Sequence, residues 1–364
     1  MKKIRINLPD NPYDVLIGKG ISQKFRAEFI KRNLSENLFI VIDSNVKRKQ
    51  PGKVKLILPQ NTGKGLNYFF KSHEKNKSYE TLLEIHKRMI TGRLGRSCSV
   101  IALGGGIVGD VTGFAASTYM RGVNYIQVPT TLLSAVDSSV GGKTGINFND
   151  TKNIIGSFCQ PKLVLIDTEF FTTLPKEEIL CGVGELVKYA FIVNEKFYNY
   201  LNKNIEKVLT LDNNVIQRLI SDSVSYKGAV VAADEKESGL RKVLNFGHTF
   251  AHAVEIEQNY KIKHGQAVIV GIACALHLSH KSGLISEDDL KRHLVLINKF
   301  ADKIKIGSYN KKLLYSIMMR DKKNRNGRIK FVLLKNVGEI LLDVEADKND
   351  VYYALEKGLN VFTK

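Results

Sequence analysis

Cysteine is scarce in this chain of 364 residues, and the four present, Cys98, Cys159, Cys181 and Cys274, form no CxxC pair and no regular spacing. That excludes a disulfide framework and leaves reduced thiols. Acidic residues are also few: 36 Asp and Glu stand against 55 Lys and Arg, a formal charge of +19. Such a surplus suits nucleic acid, an anionic membrane surface or anionic small molecules. Its distribution narrows the choice, because residues such as Lys47, Arg48, Lys49, Lys71, Lys75 and Lys77 are dispersed and no nucleic-acid module accompanies them. Most of the surplus reads as solvated surface. Long apolar runs are missing as well. The longest, residues 267–276, ends at His277 after ten residues, too short for a bilayer and long enough for a buried helix. The basic start MKKIRINLPDNP is broken by polar residues and Pro9 before any signal-like apolar run, so a cytoplasmic protein with neither membrane nor nucleic acid as partner is expected.

The chain is long enough for two domains of ordinary size, is 43% apolar, and has no internal repeat or low-complexity linker. Its first half alternates short apolar runs with helical patterns. Residues 39–43 (FIVID), 54–58 (VKLIL), 99–103 (SVIAL), 125–128 (YIQV) and 163–167 (LVLID) are strand candidates. Strands separated by helices predict a mostly parallel α/β sheet. Beyond Leu174 and Pro175 long amphipathic segments take over, so the second half is expected to be mainly α-helical, with the boundary between residues 170 and 176. Domains of 1–172 and 173–364 follow, and a cleft between two domains is a favoured ligand position.

Residues 240–265, LRKVLNFGHTFAHAVEIEQNYKIKHG, hold three of the eight histidines. His248 and His252 are four apart and share a helix face, and His264 follows. Imidazole is the commonest nitrogen ligand of zinc-type ions, so either a metal site or two ordinary histidines of an amphipathic helix would account for the spacing. Glu185, in GVGELVKYA, would add an oxygen ligand, and two His with one Glu leave the fourth position open as catalytic zinc sites do. After the candidate strand 99–103, Gly104, Gly106 and Gly109 fit GxGxxG, which suits a pyrophosphate at a helix start or simply a tight strand-to-helix turn. Thr130 and Thr131 stand where a ribose-binding acid is expected, and Asp43, ending FIVID, is the acid available earlier, or else a strand-end turn residue. In residues 137–147, DSSVGGKTGIN, Lys143 lacks the Walker spacing, which excludes a nucleoside-triphosphate loop. With Arg121, Lys152 and Asn153 it makes a set of donors suited to an anion.

Together the segments GGGIVGDVTGFAASTYMRG, VPTTLLSAVDSSVGGKTGIN, KNIIGSF, GVGELVKY, GLRKVLNFGHTFAHA, KHGQAV and RDKKNRNGRIKFVLL resemble the 3-dehydroquinate synthase family, in order and over nearly the whole chain. The resemblance implies an N-terminal Rossmann-like domain binding NAD, a helical C-terminal domain binding one divalent metal, zinc or cobalt, an active site in the cleft, and a homodimer. It makes Glu185, His248 and His264 the metal ligands and His252 a neighbouring active-site residue instead of a ligand. Asp43, Glu74, Lys77, Gly105, Gly106, Ile107, Asp110, Thr130, Thr131, Asp137, Lys143, Lys152 and Thr173 match NAD-contacting positions. Arg121, Lys143, Asn153, Lys188, Lys227, Arg241, Asn245 and Lys323 match positions that hold the substrate's phosphate, carboxylate and hydroxyls. Where the family has Gly-Glu, this chain has His73-Glu74, a departure that bears on Glu74 and Lys77.

The implied enzyme is a carbon–oxygen lyase of the shikimate pathway. It turns 3-deoxy-D-arabino-heptulosonate 7-phosphate, a small sugar phosphate, into 3-dehydroquinate and phosphate. Transient oxidation at C5 acidifies the C6 proton, phosphate leaves, the hydride returns, the ring opens and an aldol closes the carbocycle. His252 and Lys188 are the candidates for moving protons. Two other classes are weighed against it. The sister cyclases, which make 2-deoxy-scyllo-inosose or valiolone, act on sugar phosphates without a carboxylate. A metal-dependent polyol or glycerol dehydrogenase would release NADH and has no need of so many anion donors.

Overall fold

The runs Leu38–Asp43, Ser99–Gly104, Asn124–Pro129 and Leu163–Asp167 are buried along almost their entire length, as strands covered on both faces must be. In the computed structural model, which describes residues 1–35, 37–58, 66–149, 151–320 and 328–363, they form the middle of a seven-stranded sheet. The described chain divides into two compact units, Met1–Ile179 with Leu211–Lys236, and Leu180–Thr210 with Glu237–Lys364.

In the first unit, strands β1 (Lys2–Ile6) and β2 (Tyr13–Gly18) form a hairpin, and helix α1 (Phe25–Ile30) leads to β3 (Leu38–Asp43). Helices α2 (Ser44–Lys49) and α3 (Pro51–Ile57) precede β4 (Asn67–Phe70), α4 (Tyr79–Thr91) precedes β5 (Ser99–Gly104), and α5 (Gly106–Thr118) precedes β6 (Asn124–Pro129). A separate hairpin, β7 (Lys143–Phe148) and β8 (Thr151–Phe158), comes before β9 (Leu163–Asp167). The order across the sheet is β1-β2-β9-β6-β5-β3-β4, parallel from β2 onward. Chain order reverses between β3 and β5, and their register pairs Ile42 with Leu103. Asp43 and Gly104 therefore end neighbouring strands at the reversal, where open α/β sheets take their ligands.

Helix α6 (Lys176–Ile192) carries the chain into the second unit, α7 (Glu195–Leu209) lies there, and α8 (Asn213–Ala233) returns to the first. The second unit continues with α9 (His248–Glu257), α10 (His264–Lys281), α11 (Glu287–Asn298), α12 (Lys311–Met319), the hairpin β10 (Lys330–Asn336) and β11 (Glu339–Glu345), and α13 (Lys348–Leu359). The expected mostly parallel α/β part and mainly helical part are both present. As expected from its apolar run, α10 is buried without interruption from Ala267 to Ser279. Among the described residues no helix is long and apolar enough to cross a membrane, and the four cysteines are free thiols.

Three expectations differ from what is observed. Residues 54–58 are not a strand, because Pro51 opens a helix at its first turn and the spacing of the buried Val54 and Ile57 suits that helix. The second half contains β10 and β11, whose short apolar runs, FVLL at 331–334 and ILL at 340–342, fit a helix as well as a strand. A single cut at residue 172 gives way to a boundary crossed three times. Asp212 caps α8, accepting from the amide of Val215 at 3.0 Å, and Gly228 lets that helix lie against Ile6, which a Cβ would meet at 2.4 Å. Amphipathic periodicity alone does not say which core a helix joins.

Glycines govern packing in the second unit. A Cβ on Gly184 of α6 would fall 1.9 Å from the carbonyl oxygen of Gly265, and one on Gly265 of α10 would fall 1.7 Å from that of Cys181. A Cβ on Gly271 of α10 would lie 2.2 Å from the carbonyl oxygen of Gly247, which starts α9 at φ +78°. Three helices thus meet backbone to backbone around α10. Gly184→Ala should destabilise the protein by about 3 kcal/mol, read as a lower unfolding midpoint. Gly52→Ala in α3, where a Cβ meets nothing within 4 Å, should be neutral or stabilising by up to about 1 kcal/mol. Matching midpoints for the two variants would show that the helix contact tolerates a side chain.

Candidate functional site

Helix α9 repeats a polar residue at one stripe of its surface: His248, His252 and Glu255 stand at i, i+4 and i+7. Gly247 sets His248 against α10, whose first residue is His264, and the Gly184–Gly265 contact brings the neighbouring Glu185 alongside. Glu185 Oε1 lies 3.6 Å from His248 Nε2 and 3.3 Å from His264 Nε2. Tetrahedral ligands bonded at about 2.1 Å to a zinc-sized ion stand roughly 3.4 Å from one another, so the separations fit such an ion. The opposite ring nitrogens are also engaged. His248 Nδ1 is 3.2 Å from the Phe246 carbonyl oxygen and His264 Nδ1 is 3.1 Å from Glu255 Oε2. With Nδ1–H donated outward, each Nε2 is left to face the centre, as in ligand imidazoles.

The electrostatics suit a cation. Burial would raise the carboxyl of Glu185, but the Lys188 ammonium and the two imidazoles hold it well below its ordinary range. Lys188 is itself buried and pairs with Glu185. Burial keeps His248 below its ordinary value despite Glu185. For His264 burial is outweighed by Glu185 and Glu255, which push its pKa up to about 10, so a cation taking Nε2 displaces a proton. His252 stands beside this group, its ring 5.5 Å from that of His248 and 6.1 Å from that of His264. Two overlapping sets of donors result, Glu185 with His248 and His264, and His252 with Glu255 and His264.

In the first unit, α5 starts on Gly105 with no side-chain cap, leaving its first amides to an anion. Ile107 lies in that first turn, and the amide of Thr130 donates to the Gly104 carbonyl at 2.9 Å. Thr131 Oγ1 binds Ser134 Oγ at 2.8 Å. Asp43 caps α2, accepting from the amide of Asn45 at 2.7 Å and also binding Ser72. Lys77 is buried and joins Asp110 of α5 to Asn153 of β8, while Glu74 accepts from Asn147 at 2.9 Å. Burial raises the Asp110 carboxyl, with Lys77 opposing. Asp137 pairs with Lys227 of α8 at 2.9 Å. Thr173 Oγ1 accepts from Gln50 at 2.8 Å. Arg121, Lys143 and Lys152 are exposed.

In the second unit Arg241 is almost wholly buried and Asn245 donates to Glu237 at 2.8 Å. Lys323 lies outside the described residues. Sequence reasoning missed Glu237 and Glu255. For Glu255 the signal was present, a carboxylate three residues after His252 on the same stripe.

Residues 67–181 match the family model for the 3-dehydroquinate synthase N-terminal domain, and residues 182–324 match the one for its C-terminal domain. The 3-dehydroquinate synthase of Pelagibacter ubique strain HTCC1062 is 40% identical over 365 residues, 98% of each chain. That of Ruminiclostridium cellulolyticum is 39% identical over 336 residues, 92% of this chain and 93% of the relative. Among solved structures, 2-deoxy-scyllo-inosose synthase complexed with carbaglucose-6-phosphate, NAD+ and Co2+ superposes with a TM-score of 0.87 at 24% identity, covering 98% of this chain and 100% of that one. The 2-epi-5-epi-valiolone synthase of Streptomyces hygroscopicus subsp. jinggangensis 5008, with NAD+ and Zn2+ bound, gives 0.86 at 25% identity, covering 97% and 98%. With adjoining family matches and near-full-length relatives of this kind, the chain belongs to the 3-dehydroquinate synthase family.

Proposed function

We propose that this chain converts 3-deoxy-D-arabino-heptulosonate 7-phosphate to 3-dehydroquinate and inorganic phosphate, using NAD and one divalent metal, zinc or cobalt. The observation that carries the reading is the grouping of Glu185, His248 and His264, whose donor atoms lie within 4.8 Å of one another, in a member of this family. We also take the enzyme to be a cytoplasmic homodimer acting on a small sugar phosphate, with neither nucleic acid nor membrane as partner, on the family resemblance.

When bound, NAD supplies a reversible hydride acceptor for C5 and the metal supplies a Lewis acid for the C5 oxygen. Glu185, His248 and His264 would hold the metal, and Lys188 would keep Glu185 ionised. His252, next to both metal histidines, is placed by this reading to carry protons to and from the substrate. The uncapped start of α5 at Gly105, Gly106 and Ile107 suits the pyrophosphate, with Asp43 at the neighbouring strand end for ribose hydroxyls. Glu74, Lys77, Asp110, Thr130, Thr131, Asp137, Lys152 and Thr173 are assigned to the nucleotide on their family positions. Arg121, Lys143 and Asn153 would face the substrate's phosphate, stabilising it as it leaves. Lys227, Arg241, Asn245 and Lys323 would bind its carboxylate and hydroxyls.

Purified protein should carry about one zinc-type ion per chain, with activity lost to a chelator and restored by zinc or cobalt. His248→Ala and His264→Ala should lose the ion, whereas His252→Ala should keep it and lose roughly 10²- to 10⁴-fold in rate. Equal metal content in all three variants would refute the ligand set.

NAD should be required yet accumulate no NADH, because the hydride returns to the carbon it left. Absorbance of the reduced cofactor rising in step with phosphate release would favour a polyol dehydrogenase instead.

Glucose 6-phosphate and sedoheptulose 7-phosphate carry phosphate but no carboxylate, so they offer no charged partner to the carboxylate-binding positions assigned to Lys227 and Arg241. The heptulosonate should be preferred by about 10³-fold in kcat/KM, given at least two lost charge-assisted contacts. Arg241→Met should lower kcat/KM for the heptulosonate and narrow the gap. Efficient turnover of sedoheptulose 7-phosphate by the unaltered protein would assign it to a sister cyclase.

A further inference from the structure

Glu255 has a role that the reaction scheme leaves unassigned. It lies on the third turn of α9 and is only 7% exposed, a costly place for a carboxylate unless it is paired. Its Oε2 is 3.1 Å from His264 Nδ1, while Nε2 of the same ring is 3.3 Å from Glu185 Oε1. The imidazole therefore has a carboxylate at each ring nitrogen, one inside the metal group and one outside it.

The two metal histidines are held differently. The side chain of His248 is 11% exposed, so packing restrains it, and its outer partner is a neutral backbone carbonyl. The side chain of His264 is 33% exposed and begins α10, so packing restrains it less. Resting on the metal reading above, we propose that Glu255 is the positioning residue for His264. Its carboxylate accepts the Nδ1 proton, fixes the tautomer with Nε2 toward the metal, and supplies the orientation that packing gives His248. A charged acceptor at Nδ1–H also makes Nε2 a stronger donor than a neutral one does. His252 lies within the same donor group as Glu255 and His264, so a disordered His264 would disturb the ring next to it as well.

The test uses the full chain with Glu255→Gln and Glu255→Ala, each freed of metal and titrated with Co2+ or Zn2+ against a chromophoric chelator. Affinity should fall by roughly 10- to 100-fold, more for Ala than for Gln, with an altered Co2+ absorption spectrum at saturation. Unfolding midpoints of the metal-free proteins should stay close to that of the unaltered chain, and the metal-induced rise should shrink. Unchanged affinity and spectrum in both variants would overturn the role. So would complete loss of binding equal to that of His264→Ala, which would make Glu255 a ligand itself. Failure of the unaltered chain to bind about one ion would instead refute the metal reading on which this one rests.

Discussion

Ordinary helices keep their axes about 8–10 Å apart because side chains stand between them. At Gly184 and Gly265 nothing stands between α6 and α10, and the backbones touch. The residues next in line are Glu185 and the flanking His264, so the contact that removes a Cβ also sets the distance between a carboxylate and an imidazole. Gly247 and Gly271 do the same for His248 from the other side. The group of Glu185, His248 and His264 is thereby placed by main chain, which cannot change rotamer, and only the last bonds of each side chain are left to be fixed by hydrogen bonds to Phe246 and Glu255 and by the pairing with Lys188.

Burying so many charges would be prohibitive without internal compensation. Glu185 and Glu255 bring two negative charges, and Lys188 with a protonated His264 brings two positive ones. Were a divalent cation to replace the His264 proton, one net positive charge would remain, which suits an anionic substrate. The same logic explains why Lys188 is buried beside Glu185: together with the two imidazoles it holds that carboxyl well below its ordinary range despite burial.

How much of this was legible in the chain depended on the range of the interaction. The spacing of His248 and His252 put both imidazoles on one face, and they are on one face. What spacing could not say is that the face divides, His248 grouping with Glu185 and His252 with Glu255, because that split depends on where α6 and α10 arrive. The central strands were readable since burial on both faces leaves continuous apolar runs. The hairpin of β10 and β11 was not, because runs as short as FVLL and ILL do not separate strand from helix. Residues 54–58 misled for a related reason: a short apolar run fits strand or helix equally well, and Pro51 was the deciding signal. The return of α8 to the first unit was beyond reach, since it rests on long-range contacts such as Gly228 against Ile6 and Lys227 with Asp137.

The start of α5 shows how one local conflict is resolved by a distant residue. Its uncapped amides favour an anion, yet Asp110 sits one turn in and would repel one. Burial alone would also push Asp110 toward its neutral form. Lys77, some thirty residues earlier in the chain, reaches Asp110 and cancels its charge, leaving the helix end positive. The same ammonium binds the side-chain oxygen of Asn153, which leaves the amide hydrogens of that residue directed elsewhere. If Asn153 holds substrate and α5 holds nucleotide, one lysine orients both. The departure from the family pattern, His73 in place of a glycine, lies four residues before that lysine, which here reaches both Asp110 and Asn153.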